Sequence, residues 1–188
     1  MFPLHLQQFF TKILCNMNKT ILTYGLISGA VAAVLMTGTS LYFKSTMDFQ
    51  NGELFGYASI LLSMLFVYIG TRAYRDQRVP ATLSFGEGFK VALLITVISC
   101  VCYVVAWLIV YHTLMPDFMD KFIEYTLAQM KSAGATEAQI SQEVAKMEEM
   151  KAMYQNPLFR AAITFLEPFP VGLLVSLVTS LVLRRKSA

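Results

Sequence analysis

Charge is what this chain has least of. Only 14% of its 188 residues are Asp, Glu, Lys or Arg, while 56% are apolar. Soluble domains carry about 25% charged and about 45–50% apolar residues. A fold with water on every side is therefore excluded for most of the chain, and a lipid bilayer is its expected solvent. The net charge of +3 is too small to mark a nucleic-acid partner, and none is expected. Histidine is limited to His5 and His112, and cysteine to Cys15, Cys100 and Cys102. Cys100 and Cys102 would point to nearly opposite sides of a helix and cannot share a metal, so small apolar filler is the expected role. No HExxH, paired-cysteine or Gly-x-Ser-x-Gly motif occurs. The chain is therefore not expected to be an enzyme, and no catalytic residue, metal site or cofactor is assigned.

What is present is a set of four apolar runs, at about 20–43, 54–71, 89–115 and 158–183. Each reaches or approaches the ~20 residues that cross a ~30 Å hydrocarbon core. Most of the cations fall on one side of these runs: Lys12 and Lys19 before the first, Arg72, Arg75, Arg78 and Lys90 between the second and third, and Arg184, Arg185 and Lys186 after the fourth; the other side has Lys44 with Asp48 and Glu53, then the mixed, net acidic segment 117–156. Positive-inside asymmetry then puts both termini in the cytoplasm. Residues 1–16 hold one cation and no small-residue cleavage site, so no secretory signal is read there. Two readings of them stay open. Phe2, Leu6, Phe9, Phe10, Ile13 and Leu14 can form one face of an interfacial helix, or the segment is an N-terminal extension ahead of a start at Met17. Residues 17–188 read as a single membrane domain.

The segment 117–156 is too polar to span and reads as a helical hairpin on the extracytoplasmic side. Its first helix follows Pro116 and carries Phe118, Phe122 and Tyr125 at helical spacing. Gly134 stops it. Thr136 and Gln139 then fit a capping box, with Ile140, Val144 and Met147 on one face behind it. The two apolar stripes can bury each other or form the contact face for a partner protein. Met147, Met150 and Met153 would suit the second use.

Two ridges of small residues run along helices: Gly25, Gly29 and Ala33 on the first span, and Gly172, Ser176 and Ser180 on the fourth. Small residues four apart let helices approach closely, inside a bundle or in a homo-oligomer. Ser84-Phe85-Gly86-Glu87-Gly88 lacks the lysine of a phosphate loop; Ser84 and Glu87 instead make a capping box that opens span three.

The least expected stretch is Thr164-Phe-Leu-Glu-Pro-Phe-Pro-Val-Gly-Leu-Leu174 in the fourth run. Glu167 lies 17 residues before Arg184 and seven after Arg160, which is ~25 Å and ~10 Å of helix. It therefore belongs in the outer third of the core, where a charge costs less than the ~2.5–3.5 kcal/mol of a helix midpoint. Pro168 and Pro170 free two carbonyls on the same turn, so a kink and an acceptor-rich pocket are expected. Thr37, Thr39, Tyr57, Trp107 and Tyr111 are the donors expected at that depth. Glu167, Pro168 and Pro170 are thus the candidate site, read as a structural kink with a protonated carboxyl, as a proton- or ion-handling group, or as a contact for a partner.

The order of features resembles an uncharacterised family of bacterial four-span membrane proteins, domain of unknown function four-one-nine-nine. The resemblance rests on GYASILLSMLFVYIGTRAYRD at 56–76, SFGEGFK at 84–90, PDFMDKF at 116–122, NPLF at 156–159 and EPFPVGLLVSL at 167–177. It covers roughly Met17 to Lys186. It implies a multi-pass protein of the bacterial inner membrane and brings no activity with it. The fold expected is all-α: an integral membrane four-helix bundle with the hairpin between spans three and four. The function expected is partner binding through that hairpin, with a small oligomeric transporter or ion-handling protein using Glu167 as the alternative.

Overall fold

The computed structural model describes residues 19–46 and 52–184, and it is built from α-helices. Residues 1–16, together with Arg185 and Lys186, lie outside the described residues. The four apolar runs form α1 (Lys19–Thr46), α2 (Gly52–Asp76), α3 (Phe85–Thr113) and a last span in two pieces, α6 (Pro157–Leu166) and α7 (Pro168–Leu183). All four are long and apolar enough to cross a membrane. The chain is therefore an all-α membrane helical bundle. Between α3 and α6 stands the hairpin, α4 (Phe118–Ser132) and α5 (Glu137–Tyr154).

Helix ends differ from the apolar runs for local reasons. Helix α3 starts one turn ahead of its apolar run, because the Ser84 hydroxyl accepts the Glu87 N–H and caps it there. Helix α2 continues beyond Thr71 to Asp76, its last turn carrying Arg72 and Arg75 paired with Asp76. An apolar run marks only what lies in lipid, whereas a helix ends where its backbone finds other partners.

Helix α3 is central and packs on α1, α2, α6 and α7; α2 also packs on α1 and α7. The polarity of the bundle is that of a protein in lipid. Leu61, Leu65, Val101, Val105, Leu174 and Val178 face outward, each at least 50% exposed, while Ser28, Ser63, Thr96, Ser99, Ser176 and Ser180 are fully buried. Large apolar side chains are no better off inside than among lipid tails, so close approach and interhelical hydrogen bonds hold the helices together. The Ser28 hydroxyl donates to the Ser63 carbonyl at 2.8 Å and meets the Ser99 hydroxyl at 2.9 Å, joining α1, α2 and α3. Thr96 meets the Ser176 hydroxyl at 3.0 Å, joining α3 and α7.

Both small-residue ridges lie inside this packing. A Cβ on Gly25 would meet Ile98 and one on Gly29 would meet Cys102, both on α3. Ala33 is half-buried one turn further on, and Ser180 is buried beside Gly88. Cys100 is buried in the core, and Cys102 fills the space that Gly29 leaves.

The hairpin turns at Gly134, whose φ of +77° is in the left-handed region that favours glycine. The Thr136 hydroxyl accepts from the Gln139 N–H, and the Gln139 side chain accepts from the Thr136 N–H at 2.9 Å. An ion pair between Asp120 and Lys151 ties α4 to α5. Thr136→Ala is expected to cost about 1 kcal/mol. Hydrogen exchange should show faster amides in the first turn of α5 and unchanged amides in the four spans.

Candidate functional site

The site begins where the fourth span loses its hydrogen-bond ladder. Pro168 and Pro170 have no N–H, so the carbonyls of Thr164 and Leu166 lack their usual helical donors. The backbone at Glu167 nevertheless stays right-handed (φ −69°, ψ −58°), and α7 continues the span. Proline suits the first turn of a helix, where its missing donor is an orphan in any case. Glu167 thus ends α6 and precedes α7, with the buried Pro168 ring behind it.

Its partner is Tyr103 of α3, whose hydroxyl donates to Glu167 Oε2 at 3.2 Å. That is not a donor expected from depth. Thr37 and Thr39 bond back to their own helix, at Ala33 and Met36, and Trp107 donates to the Tyr154 hydroxyl at 2.6 Å. Tyr103 is a full turn deeper along α3 than Trp107, and only its length lets it reach the carboxyl.

Glu167 is exposed, and it faces a cavity of about 870 Å³ between the bundle and the hairpin. Met36, Thr39 and Ser40 of α1, Tyr57 and Ser59 of α2, and Tyr103 and Trp107 of α3 line it from the bundle side. Phe118, Phe122, Tyr125 and Thr126 of α4 and Tyr154 of α5 close it from the hairpin side. The Phe118–Phe122–Tyr125 stripe therefore faces the cavity. The α5 stripe of Ile140, Val144 and Met147 is half-buried, and Met150 and Met153 are exposed. Among the described lining residues, Glu167 is the only charged one. A shallower hollow of about 550 Å³ at the hairpin tip, beside Gly134 and Glu143, has no converging polar set. Among the described residues no three His, Cys, Asp or Glu side chains come together as metal ligands would.

One functional-looking residue was hidden by its position in the sequence. Arg160, the cation from which the depth of Glu167 is counted, is only 3% exposed. Its Nε and Nη1 are buried with no hydrogen-bond partner among the described residues. Its guanidinium lies 3.9 Å from the centre of the Tyr111 ring and 5.6 Å from that of Tyr154. These contacts belong to an aromatic cluster: Trp107 packs edge-on to Phe118 at 5.1 Å, and Tyr111 edge-on to Tyr154 at 5.6 Å. The cluster fastens the end of α3, both legs of the hairpin and the start of α6. At the hairpin base, Lys121 beside Asp117 holds that carboxyl below its ordinary range.

A protein-family model described as "Protein of unknown function (DUF4199)" matches residues 23–185 of the chain. No curated protein and no solved structure matches it.

Proposed function

The chain belongs to the DUF4199 family of proteins of unknown function, and from that premise we propose that it is a non-enzymatic, multi-pass membrane protein that binds a small ligand between its bundle and its hairpin. The observation that carries this reading is the cavity of about 870 Å³, floored by Glu167 and closed by the hairpin stripe. Ligand sites are commonly concave, of about 300–1,000 Å³, mostly apolar, with a few placed polar groups. The bilayer is that of a bacterial inner membrane. Lys19, Arg72, Arg75, Arg78 and Arg184 lie at the end opposite the hairpin, so by the positive-inside rule both termini are cytoplasmic and the cavity opens toward the extracytoplasmic side.

Trp107 is the only tryptophan and lines the cavity. Its emission should therefore change saturably when a suitable small amphiphile enters. A panel of such compounds, cationic, anionic and neutral, in which no member saturates would sink the reading.

Docking of a partner protein on the hairpin is a second reading, supported by Met150 and Met153, which are 41% and 38% exposed. Met150→Ser with Met153→Ser should then abolish capture of that partner and leave the Trp107 response intact. Glu167→Gln should do the reverse. The small-residue ridges lend no support to a homo-oligomeric channel, because Gly25, Gly29, Gly172 and Ser176 already pack within one chain.

A further inference from the structure

The walls of this cavity specify a class of ligand. Six of its aromatic side chains come from four helices: Tyr57 from α2, Tyr103 and Trp107 from α3, Phe118 and Phe122 from α4, and Tyr154 from α5, with Glu167 at the end of α6. Ring faces are negative and attract cations, most of all where water is excluded. Glu167 adds a carboxyl group whose hydrogen-bond partner among the described residues is the Tyr103 hydroxyl, on Oε2. No described lining residue is basic, so the wall itself offers no countercharge. Arg160 stands outside the lining set, over the Tyr111 and Tyr154 rings. There it shows that the Tyr154 side of the cluster already tolerates a planar cation stripped of water.

An inorganic cation fits poorly. Hard cations take about six to eight oxygens, and here one carboxyl and one phenol converge. The hydroxyls of Thr39, Ser40, Ser59 and Thr126 are spread over three helices. An anion would meet a carboxyl group and no basic lining residue. A neutral apolar molecule would leave the Glu167 carboxyl without a polar partner in the ligand.

We propose that the cavity binds a lipophilic organic monocation, such as a quaternary ammonium or phosphonium ion, with its charge against Glu167 and its substituents against the aromatic walls. This rests on the ligand-binding reading above and names its ligand class. The fit is electrostatic and steric at once, so two ions of one shape and opposite charge separate the two contributions.

The test uses the full chain purified in a non-ionic detergent, with tetraphenylphosphonium and tetraphenylborate as probes and Trp107 emission as readout. The phosphonium should quench saturably and the borate should not. Glu167→Gln should weaken phosphonium binding at least about tenfold, and Phe122→Leu should weaken it several-fold while leaving the carboxyl in place. Helical content and elution volume check that each variant is folded. Equal affinity for both ions, or phosphonium affinity unmoved in a folded Glu167→Gln protein, overturns the proposal. Saturation by the borate alone overturns the cation assignment and keeps the ligand-binding reading. No saturation by either ion, with a response that the variants do not alter, removes the cation assignment as detergent partitioning. No saturation by any neutral amphiphile either removes the ligand-binding reading with it.

Discussion

Gly172→Ala is expected to destabilise the bundle by about 3 kcal/mol, the upper end of the ~1–3 kcal/mol usual for overpacking. A Cβ at this position would fall on the Thr96 methyl group, with the Met64 sulfur and terminal methyl at 3.3 Å. Methionine can bend away. Thr96 cannot easily do so, because its hydroxyl meets Ser176 at 3.0 Å and the Gly172 carbonyl at 3.4 Å, and both would be lost if it turned. The new methyl group therefore separates α3 from α7 and opens the one polar seam between them. Gly38→Ala is the matched control, since nothing lies within 4 Å of its added Cβ. Alanine there should be neutral or slightly stabilising, by up to ~1 kcal/mol of helix propensity. Unfolding of both variants in mixed micelles measures the difference. Equal stabilities would show that the α3–α7 approach is not set by the glycine.

Much of this architecture is legible in the sequence because lipid imposes simple requirements. An apolar run of membrane length must be a spanning helix, since no other local structure satisfies its backbone there. The hairpin was equally readable: Gly134 and the Thr136–Gln139 box are short-range signals, and the backbone at both positions is as they require. The stripe of Phe118, Phe122 and Tyr125 was visible as a stripe, but not what it faces, because periodicity gives a face and no partner. Tyr103 was missed for a related reason. Depth counted from the helix ends treats every span as an upright rod. Which residues of α3 meet the last span is set by the approach at Thr96, Gly172 and Ser176, a contact between positions 76 and 80 residues apart in the chain, and counting along one helix does not give it. Arg160 carries no signal of its burial, because a cation near the end of an apolar run normally marks water. Here the hairpin folds back over that end, and Tyr111 and Tyr154 replace the solvent.

The second large effect should come from removing what faces Arg160, and it should exceed the effect of removing Arg160 itself. A buried charge stripped of its partner is costly, by about 3–5 kcal/mol in buried ion pairs, whereas replacing the whole polar set by apolar side chains is often nearly neutral. The Tyr111 ring, 3.9 Å from the guanidinium, is the nearer of its two aromatic partners. A desolvated cation–π contact contributes about 2 kcal/mol or more. Tyr111→Leu is therefore expected to cost about 2–4 kcal/mol. Arg160→Met keeps most of the volume, removes the two unpaired nitrogens, and should cost clearly less. The double variant should then be more stable than Tyr111→Leu alone. Arg160→Lys should behave as a disruptive change, because an ammonium has no planar face to stack and holds its water more tightly. Unfolding of the four proteins in lipid nanodiscs measures the ranking, with hydrogen exchange in α4 and α5 reporting whether the hairpin has left the bundle. If Arg160→Met proved the most damaging of the set, the guanidinium would be holding the hairpin through a bond other than the two rings. If all four proteins were equally stable, the aromatic cluster would not be what closes the cavity above Glu167.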